Sequence, residues 1–161
     1  MIPVRKNRRN HTVALPLCLL RDPNGAGGAP MTEPSIYALV AEDDAIIALM
    51  IEEALSDIGL QVAVTHSGDE ATAALESDVQ HQLLITDIRL GAGPQGWAVA
   101  ARARTLHPEI QVIYITGDSM DDWRAKGVPL SVLLAKPFLP AQIVAAALSL
   151  LNRPEAQTTA D

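Results

Sequence analysis

Leu83-Leu84-Ile85-Thr86-Asp87 is a run of apolar and β-branched residues that ends on a carboxylate. A strand this continuously apolar is buried on both faces, as in parallel sheets covered by helices on either side. Open sheets of that kind bind their ligands beyond the C-terminal ends of the strands. Asp87 is therefore expected at the binding edge of a sheet.

The same pattern recurs on both sides of this run. Ile36 to Ala41 is an apolar run that ends in Glu42-Asp43-Asp44, and Gln61 to Thr65 is a second strand. Ile110 to Ile115 leads into Thr116, and Val132 to Ala135 leads into Lys136. Helical spacing fills the intervals. Residues 44–58 place Ile47, Met50, Ile51, Ala54, Leu55 and Ile58 on one face, with Gly59 as the stop. Ser67 can cap a helix running to about Ser77, with Glu70 as its capping-box partner. A Gly-rich loop, residues 90–96, precedes a helix from Trp97 to Leu106, which Pro108 ends. Residues 119–126 make a short helix closed by Gly127 and Pro129, and residues 140–151 make the last one. Five strands alternating with five helices predict an α/β fold with a flavodoxin-like, doubly wound, five-stranded parallel sheet in the order 2-1-3-4-5. Strands 1, 3 and 4 are the most apolar and belong in the centre.

Composition narrows the function. The net charge is −7, and Arg5, Lys6, Arg8, Arg9 and Arg21 all precede residue 31, so the rest of the chain is more acidic than the total. An acidic body argues against a nucleic-acid surface, which needs clustered Lys and Arg. Cys18 is the one cysteine, so no internal disulfide forms. No apolar stretch reaches the ~20 residues of a membrane span. Val13 to Leu20 follows a basic start but is short, contains Pro16 and runs into Arg21-Asp22, so a cytoplasmic location is expected rather than export. Residues 1–34 read as a flexible, basic, Gly/Pro-rich N-terminal extension, with Met31 as an alternative start; residues 35–151 read as one domain and 152–161 as a polar tail.

The strand ends carry the chemistry. Glu42, Asp43 and Asp87, brought together, repel one another unless a cation sits among them. Mg²⁺ suits such a site, with Asp43, Asp87, the Arg89 backbone carbonyl and water as ligands and Glu42 acting directly or through water. The competing explanation is that Glu42-Asp43-Asp44 is the solvated start of a helix, a role assigned here to Asp44. Asp87 can attack phosphorus and form an acyl phosphate; the plainer role is a helix N-cap, which the intervening Gly-rich loop makes less natural. The Thr116 hydroxyl can donate to a phosphoryl oxygen or merely cap the following turn. Lys136 can pair with Asp87 and then with a phosphoryl oxygen, where most lysines are solvated surface charges. Lys136-Pro137 is a candidate cis peptide.

Val40-Ala41-Glu42-Asp43-Asp44, Ile85-Thr86-Asp87, Tyr114-Ile115-Thr116-Gly117 and Ala135-Lys136-Pro137-Phe138 resemble the signatures of response-regulator receiver domains, in order and spacing, over roughly residues 35–151. The resemblance implies that Asp87 takes a phosphoryl group from a sensor histidine kinase or histidine phosphotransferase. It implies further that Glu42 and Asp43 hold Mg²⁺ and that Thr116 and Lys136 contact the phosphate. The chain departs from the family in three places, one of them a fourth helix, carrying Trp123, that looks short. The loop after Asp87 is longer and Gly-richer and is expected to be more mobile. The family's switch aromatic falls at Leu133, which cannot reproduce an aromatic rotamer swing.

The expectation is a stand-alone signalling receiver, monomeric or dimerising on phosphorylation, with no nucleic-acid or membrane partner and no enzymatic activity beyond self-catalysed phosphoryl transfer and autodephosphorylation. One alternative is an aspartate-nucleophile phosphohydrolase. Haloacid-dehalogenase-like members of that class need a second acid two residues after the nucleophile, where this chain has Arg89. Another is a non-phosphorylated pseudo-receiver binding module, against which Asp87, Thr116 and Lys136 weigh. Trp97 and Trp123 are core anchors or partner contacts. His11, His66, His81 and His107 lack metal-ligand spacing and are expected on the surface or in loops.

Overall fold

Parallel pairing joins β1 (Tyr37–Ala41), β2 (Gln61–Thr65), β3 (Leu83–Asp87), β4 (Gln111–Thr116) and β5 (Val132–Ala135) into one sheet, in the order β2-β1-β3-β4-β5. The computed structural model describes residues 35–117 and 121–153. The expected N-terminal extension, the Met31 start and the tail from residue 154 lie outside the described residues. The helices are α1 (Ala45–Asp57), α2 (Gly68–Leu75), α3 (Gly96–Leu106), α4 (Asp121–Lys126) and α5 (Pro140–Leu151). The flavodoxin-like order holds, with strands 1, 3 and 4 at the centre. Boundaries move slightly. Asp87 and Thr116 are the last residues of β3 and β4 rather than the first residues after them.

The two-residue period of the strands sorts the core onto two faces. Ala38, Val40, Leu83, Ile85, Ile113 and Ile115 pack with Ile51 and Leu55 of α1 and Ile143, Ala147 and Leu150 of α5. Leu39, Ala41, Leu84, Val112 and Tyr114 turn the other way, onto Ala71 and Leu75 of α2 and Val99, Ala100 and Ala103 of α3. Small residues on the helices let them lie close to the sheet. Each fully buried Leu or Ile contributes about 2 kcal/mol through burial.

The helix starts behave largely as the sequence predicts. Asp44 is the N-cap of α1, and its carboxylate accepts from the Ile46 and Ile47 amides. Ser67 caps α2, accepting from the Glu70 amide at 3.2 Å. The reciprocal half of the box closes one residue early, because the Glu70 carboxylate takes the amide of His66 rather than that of Ser67. Trp97 is a core anchor, tilted against Tyr114 with ring centroids 4.8 Å apart. The Trp123 indole N–H donates to the Ser131 hydroxyl, and the ring packs against the same face.

The surface expectation for the histidines fails at His81, which is only 5% exposed just before β3. His81 turns inward two residues ahead of Leu83, while Gln82 between them stays exposed and bonds Tyr37. The His81 Nδ1 has no hydrogen-bond partner. Burial, with a smaller contribution from nearby His107, pushes its pKa below the ordinary 6.5. A histidine held neutral in the fold and free to protonate when unfolded gives stability that is complete above pH 6.5 and falls as pH drops toward the folded value. Urea unfolding at about pH 8 and about pH 5 should therefore show a smaller acid loss in His81→Leu than in the parent. Equal losses in the two proteins would contradict the assignment.

Candidate functional site

The parallel sheet sets the C-terminal tips of β1, β3, β4 and β5 along one edge, and the functional side chains converge there. Asp87 is 7% exposed, and both its oxygens are held. The Arg89 backbone N–H donates to Oδ1 at 3.0 Å, and the Lys136 ammonium donates to Oδ2 at 2.6 Å. The same ammonium reaches Glu42, donating to Oε1 at 3.2 Å and lying 3.0 Å from Oε2, which it meets outside hydrogen-bonding geometry. Lys136 thus bridges two carboxylates from two different strand ends.

Glu42 is fully buried, and burial pushes its pKa up. The hydrogen bond from Lys136 opposes that push, and the neighbouring Asp87 charge adds to it. Burial acts on Lys136 in the opposite sense, but its hydrogen bonds to Asp87 and Glu42 outweigh it, so the ammonium holds its proton more tightly than usual. One cation is thus shared between two buried acids, and one oxygen of Glu42 has no hydrogen bond.

Asp43 completes the cluster from the exposed rim. Glu42, Asp43 and Asp87 each offer one oxygen within 4.8 Å of the others. Ligand oxygens around an octahedral Mg²⁺ at ~2.1 Å stand roughly 3 to 4.2 Å apart, so this set fits a hard divalent cation. The Glu42 oxygen that accepts no hydrogen bond fits the same conclusion. Asp44 stays out of the cluster and caps α1, as expected from sequence.

Thr116 is buried at the tip of β4, one residue beyond Ile115, the register partner of Asp87. Its carbonyl accepts from the Lys136 amide at 2.7 Å, which fastens the end of β5 beside it. A Cβ on the adjacent Gly117 would meet nothing within 4 Å, so the space beside Thr116 is open. The Lys136-Pro137 peptide is cis. Leu133 is half-buried and packs against the face that carries Tyr114.

The loop after Asp87 is tied by hydrogen bonds at both ends. The Gln95 side-chain amide bridges Leu90, accepting from its N–H at 3.1 Å and donating to its carbonyl at 2.9 Å. The Gly96 amide donates to the Ile88 carbonyl, and the Gly68 amide to the Ala92 carbonyl. A Cβ at Gly68 would lie 1.8 Å from the Pro94 carbonyl oxygen, and one at Gly96 would lie 2.1 Å from that of Asp87. These glycines permit close backbone approach rather than freedom. His66 is a further residue that the sequence did not reveal. Its Nδ1 lies 3.0 Å from the Glu42 carbonyl oxygen, and no spacing rule links a histidine in one strand-helix turn to the peptide of another.

Removing the shared ammonium takes a salt-bridge partner from two carboxylates. Lys136→Met is expected to destabilise the metal-free protein by about 2 kcal/mol, at or below the low end for broken buried pairs because the lysine side chain is 23% exposed. Saturating Mg²⁺ should restore part of that loss. Chemical denaturation with EDTA and with Mg²⁺ measures both, and no destabilisation in EDTA would contradict the account.

The family model for the response regulator receiver domain matches residues 38–148. The solved structure of a response regulator receiver protein from Sinorhizobium medicae is 39% identical, with a TM-score of 0.71 over 74% of this chain and 96% of that one. The receiver domain of a sensor histidine kinase from Pseudomonas aeruginosa, solved with magnesium in its active-site cleft, shares the fold at 20% identity with a TM-score of 0.62, over 74% of this chain and 99% of that one. The DNA-binding transcriptional regulator NtrC of Salmonella typhimurium is 35% identical over 80 residues, which are 50% of this chain but 17% of that protein.

Proposed function

The chain belongs to the response regulator receiver domain family, and from that premise we propose that it receives a phosphoryl group on Asp87, with Mg²⁺, from a phosphohistidine on a kinase or phosphotransferase. Receiver domains are signalling modules of two-component systems that interact with such donors. The observation that carries the reading is the 2.6 Å pair between Asp87 and Lys136 beside the three-carboxylate cluster. A buried carboxylate, a three-acid cluster and an ammonium shared between acids stand at one strand edge. No helix among the described residues is long and apolar enough to cross a membrane.

Glu42, Asp43 and Asp87 would hold the cation, with the Arg89 backbone carbonyl and water as the remaining expected ligands. Bound there, Mg²⁺ neutralises charge on the phosphoryl oxygens during in-line transfer. Asp87 is desolvated and aimed by the Arg89 amide. One of its oxygens attacks phosphorus; an O–P bond forms as the P–N bond to the donor imidazole breaks, and the imidazole takes a proton from solvent. Lys136 leaves Oδ2 for a phosphoryl oxygen and carries its positive charge with it. The Thr116 hydroxyl donates to another phosphoryl oxygen. Output then runs from the tips of β4 and β5 to the surface around them and α4 and α5. With leucine at position 133, the response to Thr116 is a packing shift rather than a ring swing.

Incubation with acetyl phosphate and Mg²⁺ should add one phosphoryl group by intact mass, and Asp87→Asn or EDTA should abolish it. Lys136→Ala should keep most Mg²⁺ affinity while uncoupling phosphorylation from any change in amide exchange on β4, β5 and α4. Absence of Mg²⁺-dependent modification would overturn the phosphoacceptor role; an unchanged exchange response in Lys136→Ala would overturn that of the lysine.

A further inference from the structure

The ladder between β1 and β2 ends at Ala41 and Thr65, and both chains then turn into helices capped by Asp44 and Ser67. Glu42 and Asp43, two of the three clustered acids, stand in the gap between the last rung and the cap. Mutual repulsion among the carboxylates tends to spread that segment. Something must hold its backbone.

The Glu42 peptide groups are gripped from both directions by the end of β2. Its N–H donates to the Thr65 carbonyl at 3.0 Å. Its carbonyl lies 3.0 Å from Nδ1 of His66. A carbonyl only accepts, so this contact is a hydrogen bond when Nδ1 carries the proton. The imidazole supplies the rung that the backbone of β2 can no longer provide. His66 is fixed in turn, because its own amide donates to Glu70 Oε2 at 2.8 Å, and the Glu70 amide donates to Ser67 at 3.2 Å. The Thr65 hydroxyl donates to the Val40 carbonyl at 3.0 Å, which pins the two strand ends together one residue earlier.

We propose that His66 is a positioning residue for the cation site. Its Nδ1–H holds the peptide between Glu42 and Asp43, so that their carboxylates converge on Asp87 before any cation arrives. This rests on the reading of the acid cluster as a divalent-cation site. Side chains that orient metal ligands through a single hydrogen bond typically change affinity by an order of magnitude when lost.

The protonated nitrogen gives a direct test on the unmodified protein. Long-range proton–nitrogen NMR of the metal-free chain should show the Nδ1–H tautomer for His66; the Nε2–H tautomer, which free histidine favours, would overturn the proposal. Calorimetric titration with Mg²⁺ supplies the functional arm. His66→Phe, which keeps a ring but no donor, should bind roughly tenfold more weakly. His66→Asn, whose Nδ2 occupies nearly the place of Nδ1, should recover most of the affinity. In EDTA the Glu42 amide should exchange faster in His66→Phe than in His66→Asn. Parent-like Mg²⁺ affinity in a folded His66→Phe would overturn the positioning role and leave the cation site standing. Failure of the parent itself to bind Mg²⁺ would overturn both. If the Phe variant does not fold, the tautomer and the Asn variant still decide.

Discussion

The ion pair between Lys136 and Asp87, shared with Glu42, is the constraint on which the site depends. Three strands that are distant in sequence must end at one edge for it to form. The parallel order β2-β1-β3-β4-β5 does that, because it seats β1, β3 and β4 side by side and closes β5 against β4. Once the tips meet, the charges cannot separate without leaving a buried acid unpaired. Glu42 is the extreme case. It is fully buried, pushed toward its neutral form by that burial, and left with one oxygen that makes no hydrogen bond. A divalent cation among Glu42, Asp43 and Asp87 would add the positive charge that one shared ammonium supplies only in part.

Much of this was legible in the sequence, for a physical reason. Parallel strands are buried on both faces and read as unbroken apolar runs, so β1, β3 and β4 announce themselves, and the polar residue that ends each run is then at the binding edge. Asp87, Thr116 and Lys136 were found that way, and the Glu42-Asp43 pair with them. Ser67 and Glu70 were readable because capping is local in sequence. The interactions that escaped are those set by tertiary approach. His66 meets the Glu42 carbonyl across two strand ends, and His81 is buried ahead of β3 although the residue between them is exposed. Neither has a periodic or spacing signature.

The loop after Asp87 shows a second use of glycine. Residues 90–96 read as mobile because glycine is permissive. In the fold, Gly68 and Gly96 are small so that two backbones can touch, and Gln95 locks Leu90 through both its N–H and its carbonyl. The result is a braced segment that fixes the start of α2 beside the acid cluster. Arg89, whose amide aims the Asp87 carboxylate, begins that segment. The Arg89 amide and the Lys136 ammonium thus hold the two oxygens of the Asp87 carboxylate.

The central claim is that Asp87 accepts a phosphoryl group in a site completed by Mg²⁺. Fluorine NMR of the chain with beryllofluoride, which mimics a phosphoryl group on a carboxylate, tests it most directly. The account predicts one protein-bound fluoride complex per chain that requires Mg²⁺ and is lost in Asp87→Asn. A bound complex that forms equally without Mg²⁺ or without Asp87, or no bound complex at all, would contradict it.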